Sequence, residues 1–152
     1  MRTRLAGQRG FGLTEMVVVI GLIGVLAAVA APNLLSYSQT SALGAGAGEF
    51  ASVLNRGRAL AITQNTTVCV QVTGTSVRLR TGGCTGTIWA GVGTDSSGVI
   101  ALSNSLQVSG GTSAVFTNLG AATPGATYTV THPTTGRTRS VIVAATGRVS
   151  IQ

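Results

Sequence analysis

The chain has 152 residues and a formal net charge of +7, and all ten of its basic residues are arginines, against three acids. This length holds one domain plus an anchor. One histidine, scattered acids and the lack of a Cys-x-x-Cys spacing leave no metal set and no catalytic constellation. Aromatic residues make up only 4%, while Gly, Thr, Ser, Ala and Val abound, which favours a turn-rich β domain with a modest core.

Residues 1–10 carry Arg2, Arg4 and Arg9 and no acid. Residues 16–31 carry no charge. Between them runs Gly10-Phe11-Gly12-Leu13-Thr14-Glu15, with a lone carboxylate at the entrance of an apolar stretch. Residues 11–35, as a helix, span roughly 37 Å, enough to cross a bilayer. A carboxylate there costs several kcal/mol to desolvate unless it is paired. The positive-inside rule puts the arginine-bearing start in the cytoplasm and everything after the span outside it. Without residues 1–10, seven arginines face Glu15, Glu49 and Asp95, a side-chain charge of +4. An ordinary secretory signal peptide also has a basic start and an apolar core, and Ala28-Val29-Ala30 offers it a cleavage site. Such a peptide rarely places a glutamate at the core's entrance. A plain signal anchor explains neither Glu15 nor the Gly10-Phe11 junction. Gly21, Gly24, Ala28 and Ala31 form a small-residue strip that admits close helix packing. Pro32 is expected to kink or locally break the helix.

The junction resembles the class III signal of type IV pilins and type II secretion pseudopilins. Gly10, Phe11, Leu13 and Glu15 match that pattern, and Pro32 falls at the family's helix-kink position, followed by Asn33-Leu34-Leu35. Gly12-Leu13-Thr14 departs from the commoner Thr-Leu-Ile. The resemblance implies that a prepilin peptidase cuts after Gly10 and that Phe11 is N-methylated. It implies that Glu15 pairs with the N-terminal amine of a neighbouring subunit. The expected organisation is a cleaved leader at 1–10, a transmembrane and filament-core helix at 11–35, and a periplasmic domain at 36–152. The expected partners are the peptidase, other pilins or pseudopilins and the inner membrane, with no cofactor and no enzymatic activity.

The helical pattern continues to about residue 64. Leu43, Ala47, Phe50, Leu54, Gly57 and Ala61 recur at steps of three and four, a stripe that should bury against a sheet. Gly44, Gly46 and Gly48 each weaken helicity by about 1 kcal/mol relative to alanine. They mark either a flexible stretch or a site of close backbone approach. Beyond residue 65 the period changes to two. Strands are expected at 67–73, 76–81, 87–92, 99–102, 114–117, 127–131, 138–144 and 148–151, separated by turn signals such as Gly82-Gly83 and Pro124-Gly125. A helix followed by hairpins gives an α+β fold, one antiparallel sheet over the helix stripe. Cys69 and Cys84 are the only cysteines. They form either a bridge, which contributes roughly 3 kcal/mol at this separation, or two free buried thiols.

Four features of this region resemble the GspH/FimT group, the H-type pseudopilins and FimT-like minor pilins. They are Val68-Cys69-Val70, Trp89 with Gly91 and Asp95, the Thr-rich antiparallel sheet, and the closing Gly147-Arg148-Val149-Ser150. A major pilin is the competing assignment. DNA-binding members of the group carry a C-terminal Gly-Arg-x-Arg. Here the matching site lacks the second arginine, and Gly136-Arg137-Thr138-Arg139 fits the pattern one strand earlier. Arg78 with Arg80, Arg137 with Arg139, and Arg148 are therefore the candidate DNA contacts, by phosphate binding without sequence reading. The alternative is a solvated sheet face whose arginine stems cover apolar surface. Asp95 reads as an Asx-turn residue or a calcium ligand, and one acid is thin for calcium.

Overall fold

The computed structural model describes residues 12–152; the expected leader, Gly10 and Phe11 lie outside the described residues. The chain separates into two compact units, the first ending at Ser38 and the second running from Gln39 to Gln152. Helix α1 (Leu13–Thr63) belongs to both. In the first unit it is exposed along its length. The expected break at Pro32 is not found, and α1 runs through that position. An internal proline removes one backbone donor, a loss a helix survives when the turns on either side are intact.

In the second unit the remainder of α1 packs on two antiparallel sheets rather than the single sheet expected. The first contains β1 (Val68–Thr73), β2 (Ser76–Thr81), β3 (Thr87–Ile88), β4 (Val99–Ala101) and β6 (Ala114–Phe116). Its order is β3-β2-β1-β6, with β4 also paired to β2. The second contains β5 (Gln107–Gly110), β7 (Ala126–Thr131), β8 (Thr138–Val143) and β9 (Val149–Ile151), in the order β5-β7-β8-β9. A bridge at Gly74–Val108 links the β1–β2 turn of the first sheet to β5 of the second, and one at Phe116–Ala122 ties β6 to the loop that follows it.

The helix stripe read from the sequence is buried in full: Leu43, Ala47, Phe50, Leu54, Gly57 and Ala61. Strand alternation supplies the facing surface. Val77 and Leu79 of β2 point into the core, while Arg78 between them is exposed. From the second sheet, Val108, Tyr128, Val130, Val141 and Val143 complete the cluster. Phe50 meets Tyr128 edge to face, with ring centroids 5.0 Å apart, a geometry worth about 0.5–1.5 kcal/mol beyond burial.

The helical glycines divide by role. A Cβ at Gly57 would stand 3.1 Å from Val70 Cγ2 and 3.3 Å from Leu79 Cδ2, so the missing side chain lets the helix lie close on the first sheet. A Cβ at Gly46 would overlap the buried Leu106 side chain. Gly44 and Gly48 have open space beside them. Close approach is therefore the role of Gly46, and not of its two neighbours.

The two cysteines are bridged: Cys69 and Cys84 form a disulfide with a Cα–Cα distance of 4.9 Å. The bridge lays the 82–86 turn over the outer face of β1 and leaves Cys69 fully buried. Strand β3 ends at Ile88, four residues before the expected limit, and β5 occupies a segment where no strand was expected.

Tyr128 carries the second sheet's one buried polar tip. Its hydroxyl accepts a hydrogen bond from the Ala114 amide at 2.8 Å, across to β6 of the first sheet. Burial pushes its phenol upward from the ordinary value of 10.0, with the Ala114 amide opposing. Because the unfolded phenol ionises first, this contribution is complete below about pH 10 and is lost as pH rises through the folded value. Tyr128→Phe strands the Ala114 amide and should cost about 1–3 kcal/mol in urea unfolding at neutral pH. It should also flatten the fall of stability above pH 10. A variant with wild-type stability and an unchanged alkaline slope would contradict this assignment.

Candidate functional site

The start of α1 holds the first candidate residue. The Gly12 carbonyl accepts from the amides of Glu15 and Met16, at 3.0 and 3.2 Å. Glu15 therefore sits in the first helical turn and is exposed. The positive end of the helix dipole favours a carboxylate there by about 0.3–1 kcal/mol, which is far less than the cost of burying it. Beyond it, thirteen large apolar side chains from Leu13 to Leu35 are exposed. The segment is long and apolar enough to cross a membrane. Among the described residues, a Cβ at Gly21 or Gly24 would meet nothing within 4 Å beyond the helix's own backbone, so these two positions of the small-residue strip are open. Just after Pro32, the Asn33 side chain donates to the Val29 carbonyl at 3.3 Å, and Ser38 Oγ donates to the Leu35 carbonyl at 2.9 Å.

The arginines do different things. Arg80 and Arg78 share the outer face of β2, as their spacing requires. The Arg80 guanidinium is occupied, donating to Gln71 Oε1 at 2.7 Å and to the Gly86 carbonyl at 2.8 Å. Gln71 in turn donates to the Cys84 carbonyl at 3.0 Å. Arg80 thus fastens the disulfide-bonded turn from outside. Arg78 is exposed beside a shallow depression shared with Gln71, Thr73 and Ser76. Arg137 donates to Thr40 Oγ1 of α1 at 2.6 Å, and Arg139 lies exposed on β8 across from Val130. Arg148 follows Gly147, whose positive φ of 77° and close approach to the Gly120 carbonyl exclude a side chain. Gly147 also lies beside the Arg58 guanidinium. Positions 40 and 58 are eighteen residues apart on α1, roughly 27 Å along a helix. Arg137 and Arg148 are therefore held at opposite ends of the packed helix. These two arginines are not neighbours, and Arg80 is engaged at the disulfide-bonded turn.

Other singled-out residues are absorbed by turns. Asp95 Oδ1 accepts from the amides of Ser97 and Val99, both at 2.8 Å, which is Asx-turn chemistry. His132 Nδ1 accepts from the Thr134 amide at 3.3 Å. No group of three metal-ligating side chains occurs among the described residues. Two contacts had no signal in the sequence, because their partners are far apart in the chain. Arg56 of α1 lies 4.7 Å from the Trp89 ring centroid and donates to the Val92 carbonyl, pinning the segment after β3 to the helix. Glu49 accepts from the Ser103 amide at 3.0 Å and so fastens the short 3-10 turn Ser103–Ser105.

The family described as the prokaryotic N-terminal methylation motif matches residues 5–31. No curated protein sequence matches the chain. Among solved structures, the type IV minor pilin FimU of Pseudomonas aeruginosa PAO1 superposes with a TM-score of 0.57 at 18% identity, over 76% of this chain and 92% of that one. The minor pseudopilin EpsH from the Type 2 Secretion System of Vibrio cholerae gives 0.56 at 12% identity, over 72% and 95%. At such identities the likeness is one of fold. The α+β fold is shared with a minor pilin and a minor pseudopilin, and the matched motif is confined to residues 5–31.

The different duties of the paired arginines have a measurable consequence. Arg80→Ala removes two charge-assisted hydrogen bonds and should cost about 1.5–3 kcal/mol in denaturant unfolding, while Arg78→Ala should fall within about 0.5 kcal/mol of wild type. Equal effects from the two would refute the distinction.

Proposed function

We propose that this protein is a non-enzymatic, membrane-anchored subunit of a pilin-type filament, either a type IV pilus or a type II secretion pseudopilus. One observation carries the proposal: the methylation motif at residues 5–31 overlaps the first part of a helix whose large apolar side chains from Leu13 to Leu35 are exposed. Such a surface needs another apolar phase. Burying thirteen large apolar side chains contributes roughly 20–40 kcal/mol by transfer values. A bilayer supplies that phase first, and the same segments of neighbouring subunits supply it in a filament. The fold shared with a minor pilin and a minor pseudopilin supports the subunit role common to both.

In this reading the precursor inserts with Arg2, Arg4 and Arg9 on the cytoplasmic side. A prepilin peptidase cuts after Gly10, and the freed amine of Phe11 is methylated. The Glu15 carboxylate then pairs with the Phe11 amine of an adjacent subunit. In a low-dielectric surrounding that contact is strongly favoured over either charge alone. The pairing therefore acts as a register check, because a misaligned neighbour leaves both charges buried and uncompensated. The β domain stays outside the membrane and selects partners.

Two substitutions test separate steps. Glu15→Ala should leave cleavage after Gly10 intact in an immunoblot for precursor and mature forms, and should lower incorporation into sheared filaments at least tenfold; full incorporation would sink the pairing. Gly10→Ala should be cleaved more efficiently than Gly10→Val if the peptidase excludes side chains by size, and equal processing of the two would remove that argument.

A further inference from the structure

We propose that Arg137 and Arg139 form a docking surface for the phosphates of anionic phospholipid headgroups, seating the β7–β8 hairpin on the bilayer before the subunit enters a filament. The inference rests on the membrane-anchored reading above.

The hairpin turn is stiffened from within. The His132 amide donates to the Arg137 carbonyl at 2.9 Å, and the Gly136 amide donates to the His132 carbonyl at 2.9 Å. Arg137 then ties this tip to α1 through Thr40. Thr40 lies five residues beyond position 35, where the apolar stretch ends. By chain length alone, five residues reach at most about 18 Å, and about 7.5 Å as helix. The headgroup layer adds about 5–8 Å to each side of the hydrocarbon core. A guanidinium bonded to Thr40 is therefore tethered within about 18 Å of the end of the apolar stretch whichever path the chain takes, and within about 7.5 Å along a continuous helix.

The chemistry of the tip suits phosphate. Residues 132–140 read His-Pro-Thr-Thr-Gly-Arg-Thr-Arg-Ser, with two guanidiniums and no acid; of the four hydroxyls, that of Thr135 is buried and the other three are left for an anion. Arg137 spends one nitrogen on Thr40 and keeps further donors for an anion. Arg139 is exposed, and neither arginine is in an ion pair among the described residues. The domain's two carboxylates are engaged elsewhere, Glu49 at Ser103 and Asp95 at Ser97 and Val99. Each arginine at an anionic bilayer surface strengthens attachment roughly fivefold.

The test uses the full chain reconstituted into vesicles of phosphatidylcholine, alone or with one-third phosphatidylglycerol, at low salt. The readout is amide hydrogen exchange of residues 132–138 and, separately, of residues 16–31. Exchange of the hairpin should slow several-fold in the anionic vesicles, and 0.5 M salt should abolish the difference. Arg139→Gln keeps the Arg137–Thr40 bond and should give back roughly fivefold of the protection. The double variant with Arg137→Gln should lose the rest. Equal hairpin exchange in the two vesicles, with residues 16–31 protected in both, would overturn the docking surface and leave the anchor standing. Unprotected residues 16–31 would overturn the anchor as well. Protection of the hairpin by duplex DNA, and not by the anionic bilayer, would also overturn the proposal.

Discussion

A single carboxylate at the head of an otherwise uncharged, uncovered helical segment, residues 13–38, is the constraint from which the rest follows. The apolar side chains of that helix gain far more from leaving water than Glu15 loses. Burial of the thirteen exposed apolar groups is worth tens of kcal/mol, whereas a charged residue in a membrane helix costs about 3 kcal/mol on insertion scales. Glu15 is therefore too weak to keep the segment in water. Its cost is large enough to choose among packed arrangements, because a few kcal/mol separates populations by factors of hundreds. A counter-charge placed by a neighbour converts that cost into a preference for one register.

The second unit is built to be decorated. Its core is one helix stripe and the inward positions of two sheets, and the outward positions are filled with threonine, serine and arginine. Long-range fasteners hold its irregular segments. The disulfide and Arg80 secure the 82–86 turn, Arg56 and Trp89 secure the stretch after β3, and Glu49 secures the 3-10 turn. Each fastener joins residues distant in the chain. Loops of this kind vary in length at little cost to the core.

The helix and its buried stripe were legible in the sequence because period 3.6 is a local property. All six expected stripe residues are buried, and Ala51 and Val53 join them from the flanks. Strands with clear alternation, such as β1, β2, β7 and β8, were legible within a residue or so. Strand β5 was not, because it carries one inward apolar residue, Val108, and ends in Gly110-Gly111, which reads as a turn. The division into two sheets was also hidden. Alternation reveals which side of a strand is apolar and says nothing of which strand pairs with it. At the candidate site, Glu15 and the arginine pairs could be named from spacing. The engagement of Arg80 and the separation of Arg137 from Arg148 depend on tertiary contacts that no local pattern encodes.

The account's central claim requires a free α-nitrogen at Phe11 to meet Glu15. Intact-mass analysis of the native protein extracted from its membrane tests this most directly. The account predicts a chain that begins at Phe11 and carries one added methyl group. A chain that retains Met1 and the arginine-bearing leader, or one that begins near Ala31, would contradict it.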